Sequence, residues 1–234
     1  MTSYPVHVAF PGRLVCVGFG SIGQGVLPLI LRHVGIKPEQ ITIVTADEAG
    51  ADVAREYGVR FVKQPLTREN FKNVLDPIVG RGDFLLNLSV DVSSLALVKF
   101  CWEKGALYLD TCIEPWPGGY TDPTISPARR TNYALREEAL ALRDNKHRPT
   151  AVLTHGANPG LVSHFVKQAL VNIAHDTGIE FEEPTTREQW AALAQKLGIK
   201  VIHIAERDTQ VASGHPKEVG EFVNTWSVDG FVSE

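Results

Sequence analysis

The feature that most constrains the fold is an apolar run, Leu14–Val17, that ends in Gly18-Phe-Gly20-Ser-Ile-Gly23 and opens into an amphipathic stretch over 22–34. Strand, glycine turn and helix in that order are the context a dinucleotide-binding fingerprint requires. Gly18 permits the tight turn, Gly20 lets the backbone approach a pyrophosphate, and Gly23 lets the helix sit close to the strand. The free N–H groups of residues 20 to 23, which include Ser21 and Ile22, would then face the phosphates at the positive end of the helix dipole. A turn of this kind also serves simply to pack a helix on a sheet. Its place after the first strand, near the N-terminus, is what favours a bound dinucleotide.

The rest of the first half continues in the same manner. Residues 40–45 read as a second strand, 49–57 as a helix closed by Gly58, and 59–62 as a short strand. Thr67 is a candidate N-cap for a helix to Leu75. Residues 83–89 are an apolar run of strand length, Ser93 or Ser94 opens a helix to Lys104 that Gly105 stops, and 106–110 form the next strand. Strands alternating with helices predict an α/β fold with a doubly wound parallel sheet of Rossmann type. After Asp110 the texture changes. Pro115, Pro117, Gly118, Gly119, Pro123 and Pro127 crowd one long loop, followed by a helix over 132–143, a strand over 150–154 and a turn over 156–160. We therefore expect a nucleotide-binding domain over 1–160 and the start of a second α+β domain over 161–234. That second part should hold helices over 161–174 and up to Leu197, then strands over 201–205 and 222–227.

Composition narrows the partners. A net charge of −4 and the lack of a basic run argue against nucleic acid, whose phosphates would be repelled. Cys16, Cys101 and Cys112 have no CxxC spacing, and they read as small buried residues in predicted strands and helices of a reducing compartment. No zinc or other metal site is expected. The first residues lack the basic end and apolar run of a signal peptide, and no stretch approaches a membrane span. The cytoplasm is the expected location.

In an open α/β sheet, ligands bind beyond the carboxyl ends of the strands. The residues expected there are polar: Thr45 and Asp47, Asn87, Ser89 and Asp91, Asp110, Thr111 and Glu114, then His155 and Asn158. With Gly18, Gly20, Ser21, Ile22 and Gly23, the cofactor is expected to meet Asp47, Asn87, Ser89, Asp110, Thr111, Ala157 and Asn158. An acid after the second strand would hold the adenine ribose hydroxyls and favour NAD. Asp47 stands slightly late for that, and a helix N-cap is its other reading. Asp91, Glu114, Glu206 and Glu234 each lie beside an apolar strand or an aromatic residue. With Trp116 and Trp226 they suggest a site for a cation, because aromatic faces attract ammonium groups. Core packing is the competing account of the tryptophans, above all of Trp102 and Trp190. His155 and His203 are candidate bases, or satisfied core histidines.

The stretches GFGSIGQGVLPLI, LLNLSVDVSS, LYLDTCIEPW, GANPGLVSHFVKQAL, IHIAERDTQ and NTWSVDGFVSE together resemble the bacterial homospermidine synthases. That family is similar to saccharopine dehydrogenase in its nucleotide-binding half. The resemblance runs from about Arg13 to the last residue, and its later motifs are more specific than the glycine fingerprint. It implies a tightly held NAD that is reduced and re-oxidised within one cycle. Putrescine is oxidised at the carbon bearing its amine, ammonia leaves, and a second amine condenses there. The imine is then reduced by the same hydride to homospermidine.

Motif by motif, the resemblance implies that Asn158 in GANPG lies near nicotinamide and substrate, and that Glu206 in AERDTQ binds an amine end. It implies that Trp226 in NTW offers its ring to a cationic intermediate. Asp91 in SVD and Glu114 in EPW would line the substrate channel, and Glu234 would add an acidic contact. A homodimer is implied for the full-length protein. Members of the family continue well past Glu234, so the resemblance implies a sequence that stops inside its second domain. Two other readings stay open: a saccharopine-dehydrogenase-like or carboxynorspermidine-type oxidoreductase, and a nucleotide-binding fragment without turnover.

Overall fold

A strand buried on both faces needs an apolar side chain at nearly every position, and Leu14–Val17 has one at each. In the computed structural model, which describes residues 4–207, 209, 214 and 216–221, that run is the centre of the fold. In chain order the elements are β1 (Val8–Ala9), β2 (Leu14–Val17), α1 (Ser21–His33), β3 (Val34–Gly35), β4 (Ile41–Thr45), α2 (Ala51–Glu56) and β5 (Arg60–Lys63). They continue as α3 (Phe71–Leu75), β6 (Phe84–Asn87), α4 (Ser94–Lys104), β7 (Leu107–Asp110), α5 (Asn132–Ala141), β8 (Ala151–Val152), α6 (Leu161–Asp176) and α7 (Arg187–Lys196). Six strands form one sheet in the order β5-β4-β2-β6-β7-β8, every pairing parallel. Strand order reverses beside β2, which creates the switch point where such sheets hold ligands.

Strand parity sorts the core into two layers. Leu14, Cys16, Ile41, Ile43 and Leu86 face Leu27 of α1 and Ala54 of α2. Val15, Val17, Val44, Leu85 and Tyr108 face Phe71 and Leu75 of α3 and Leu97, Phe100 and Cys101 of α4. Helices on both faces give the doubly wound arrangement. At the amino ends of the strands, Asp83 Oδ1 accepts from Arg13 N at 2.8 Å and Oδ2 accepts from Arg13 Nε at 2.9 Å. That pair ties β2 to β6 at the end of the sheet remote from the switch point.

The contacts part between Thr154 and His155 into two compact units. In the second, Leu170, Ala174 and Leu193 form a small core with Trp190 half-buried against it. Thr186 Oγ1 accepts from Gln189 N at 3.3 Å while Gln189 Oε1 accepts from Thr186 N at 3.1 Å, a reciprocal cap on α7. No helix among the described residues is long and apolar enough to cross a membrane.

Three expectations need correction. Residues 201–205 form no strand, and Val201, Ile202 and Ile204 are exposed. Strand propensity expresses pairing and packing more than backbone preference, and among the described residues nothing pairs with this segment. Cys16 and Cys101 are buried, but Cys112 is half-buried and lies beyond the end of β7. Thr67 does not begin a helix. Its Oγ1 accepts from Glu69 N and Asn70 N in a turn, and α3 starts at Phe71. The strand expected over 222–227 lies outside the described residues.

Candidate functional site

The carboxyl ends of β4, β2, β6 and β7 lie side by side, with Val17 opposite both Val44 and Asn87, and Asn87 opposite Asp110. The glycine turn follows β2 at the middle of this row. Gly18 takes φ +84°, and a Cβ there would meet Ser89 N at 2.6 Å. The fold itself demands this glycine. Gly23 is required too, since its Cβ would meet Phe19 Cδ2 at 2.9 Å and Gly18 O at 3.3 Å. Gly20 differs. Its φ is −74° and no side chain caps α1 behind it, and a Cβ there meets nothing within 4 Å. Nothing among the described residues asks for glycine at 20, whereas a phosphate lying against the backbone would. Ser21 and Ile22 are exposed beside it, Ile22 by 52%. These residues fit a dinucleotide.

Below the turn lies a buried polar network. Asn87 Nδ2 donates to Tyr108 Oη at 3.3 Å, and Tyr108 Oη donates to Asp110 Oδ2 at 2.8 Å. Asp110 Oδ1 accepts from Thr154 N at 2.5 Å. Ser89 Oγ donates to Asn87 Oδ1 at 2.5 Å. Burial pushes the Asp110 carboxyl up to about 6, against the pull of the Thr154 amide and the Ser94 and Tyr108 side chains. Burial, joined by the Asp110 charge, holds the Tyr108 phenol well above its usual range. Asp110 is fully buried, so its carboxylate serves the protein's own donors.

Glu114 stands beside this network on different terms. Its backbone is clamped to the start of α4, where Glu114 N donates to Ser94 Oγ at 3.0 Å and Glu114 O accepts from Ser94 N at 2.9 Å. Only 3% of the residue is exposed, yet Oε2 has no hydrogen-bond partner among the described residues. Burial pushes this carboxyl up to about 7; the Asp91 amide pulls it back and the Asp91 charge adds to the rise. Asp91 is half-buried and takes φ +63°. A buried carboxylate oxygen without a donor costs about 1–3 kcal/mol or more. A protonated amine would supply the missing donor and the charge.

The other expected residues divide clearly. Thr111 is half-buried after β7. Asp47 is exposed, and its Oδ1 accepts from Ala49 N at 2.9 Å. The cap of α2 is Gly50 rather than Asp47. Ala157, Asn158 and Glu206 belong to the second unit; Asn158 is half-buried and the other two are exposed. Trp226 and Glu234 lie outside the described residues. Trp116 packs on Phe71, ring centroids 5.5 Å apart, against the core. Trp102 is half-buried against the same core, and His155 and His203 are exposed. Sequence reasoning passed over Tyr108, Ser94 and Thr154. For Tyr108 the signal was present, because positions i and i+2 of a strand share a face with Asp110.

The family described as saccharopine dehydrogenase NADP binding domain matches residues 14–152. The chain is 53% identical over 238 residues to the homospermidine synthase of Blastochloris viridis, covering all of this chain and 50% of that one. It is 47% identical to the homospermidine synthase of Mesorhizobium japonicum, over 99% of this chain and 49% of that one. The solved structure of a homospermidine synthase from Legionella pneumophila in complex with NAD matches with a TM-score of 0.81 at 49% identity, over 96% of this chain and 46% of that one. The chain thus spans about half the length of the curated relatives it matches.

Proposed function

Because the chain belongs to the saccharopine dehydrogenase NADP-binding domain family, we propose that it is the cofactor-binding part of a homospermidine synthase that uses NAD. The reaction joins two putrescines into homospermidine with loss of one ammonia. The chemistry the cofactor supplies when bound is acceptance and return of one hydride. The chain's own residues do the rest. Gly18, Gly20 and Gly23 with the amides at the start of α1 seat the pyrophosphate. Ser89, Thr111 and the segment with Ala157 and Asn158 are proposed to line the cofactor, and Asn158 to reach the substrate.

The observation that carries the polyamine reading is Glu114. An anionic substrate would call for arginine at the crevice, whereas this site presents a buried carboxylate with an unanswered Oε2 and Asp91 beside it. A diamine's ammonium supplies the donor that Oε2 lacks among the described residues. When it binds, Glu114 gives up any proton at Oε2 and takes the cation's N–H instead. Glu206, Trp226 and Glu234 are proposed to complete the amine site, with Trp226 offering a ring face to positive charge.

Putrescine deuterated on both amine-bearing carbons tests the reading. Returned hydride predicts homospermidine that keeps all of its deuterium by mass spectrometry, with no net NADH absorbance. Steady NADH release with an oxidised amino-aldehyde or imine that has lost one deuterium, in place of homospermidine, would instead indicate an ordinary dehydrogenase.

A further inference from the structure

The β7–β8 ladder is short. Its last register pairs Leu109 with Val152, so main-chain pairing ends just before Asp110. One residue past Leu153, the Thr154 amide turns away from the ladder and donates to the Asp110 carboxylate at 2.5 Å. Thr154 has φ +56° there, a left-handed conformation that is a genuine outlier for a β-branched residue. Such residues persist only where their surroundings over-determine them. Here the determinant is visible. Asp110 is fully buried, with one oxygen given to Thr154 N and the other to Tyr108 Oη. Among the described residues Thr154 is also where the first compact unit ends, and His155 begins the second.

We propose that Asp110 is a positioning residue: it grips the Thr154 amide, holds that residue left-handed, and so fixes the backbone just past the carboxyl end of β8, beside the proposed cofactor crevice. The catalytic part of this inference rests on the homospermidine synthase reading. The grip itself does not.

Asp110→Asn offers one acceptor to two donors, so it weakens the grip without changing volume. Amide hydrogen exchange, read on a peptide covering 150–158, is expected to rise about tenfold at Thr154 while the ladder amides of β7 keep their protection. In the active enzyme kcat is expected to fall about tenfold, with KM for NAD changed less. Thr154→Gly takes the left-handed conformation unaided and is expected to keep most of kcat. The double variant, Asp110→Asn with Thr154→Gly, is expected to recover at least half of the lost rate, an effect that a merely structural aspartate would not produce. Unchanged exchange in Asp110→Asn, or no recovery in the double variant, overturns the proposal. If Asp110→Asn does not fold, Thr154→Gly alone decides: a folded variant with lost kcat assigns the role to the threonine side chain and overturns it. Should no variant, nor the parent, form homospermidine while the exchange pattern holds, the functional reading fails and the grip stands.

Discussion

Gly18 and Gly20 sit two residues apart in one turn, and they answer to different things. Gly18 is held against Ser89 by the protein's own backbone, while Gly20 faces open space. The same division runs through the whole crevice. At its base, Asn87, Tyr108 and Asp110 satisfy one another, and removing any of them would leave a buried group unanswered. At its rim, among the described residues, the α1 terminus has no side-chain cap and Glu114 Oε2 has no donor. A fold tolerates few such costs. Where several collect at the switch point of a doubly wound sheet, they mark what a ligand completes. We propose that the base chiefly serves the fold and the rim chiefly serves binding, and substitution can separate the two.

The largest separation is expected within the glycine turn. Gly18→Val forces a β-branched residue to φ +84° and onto Ser89 N; we expect a loss of at least 3 kcal/mol, enough to abolish soluble folded protein. Gly20→Val is expected to keep its stability within about 1 kcal/mol, since a cap changes but nothing collides. Its NAD affinity should fall at least a hundredfold, about 2.7 kcal/mol. Calorimetry and melting curves on the pair read both effects. NAD affinity retained by a folded Gly20→Val would place the phosphates elsewhere.

The two buried carboxylates extend the comparison to pH. Glu114 rises from 4.5 to about 7 on folding, so the folded state favours the neutral acid. Its contribution to stability is fully present below about pH 4.5 and is lost as pH rises through about 7, a swing of about 3 kcal/mol. Glu114→Gln removes that swing and is expected to be more stable than wild type at pH 8, measured by urea midpoints at pH 5 and pH 8. Asp110 rises from 3.8 to about 6 and loses its contribution in the same direction through that value. Asp110→Asn, however, gives up an acceptor that Thr154 and Tyr108 use, and is expected to be less stable at every pH. In wild type, diamine binding should tighten as pH passes 7 and Glu114 ionises. Parallel pH–stability curves for wild type and Glu114→Gln would remove the rim assignment.

How much of this could be read from residues alone follows from range. The glycine turn, the buried strand at Phe84–Asn87 and the Gly105 stop of α4 are local signals, and the structure reproduces them. The polar row at the strand ends was also legible, because parallel sheets align those ends by construction. What stayed hidden depends on distant partners. The Asp110 grip joins residues 44 apart in sequence, and the clamp between Ser94 and Glu114 joins residues 20 apart. Trp116 carried no mark of meeting Phe71. The 201–205 segment misled for the converse reason: its pattern was local, but a strand exists only with a partner.

The smallest effect concerns the choice of cofactor at the end of β4. Asp47 is exposed, with Oδ1 accepting from Ala49 N at 2.9 Å, and Glu48 Oε1 lies 3.1 Å from Lys63 Nζ. The loop therefore carries two acids, and its nearby cation is already paired. A 2′-phosphate would meet negative charge here, while a ribose hydroxyl would find an acceptor. Asp47→Asn preserves the turn, since the amide oxygen can still accept from Ala49 N, and removes only the charge. We expect stability within about 0.5 kcal/mol of wild type, NAD affinity lowered severalfold, and NADP affinity raised by a similar factor. Asp47→Ala loses the turn bond as well, so its NAD affinity should fall further without added gain for NADP. Titration of both cofactors against both variants separates charge from loop geometry. An unchanged NAD-to-NADP ratio in Asp47→Asn would move the discrimination to Glu48, where Glu48→Gln frees Lys63 and should shift that ratio more strongly.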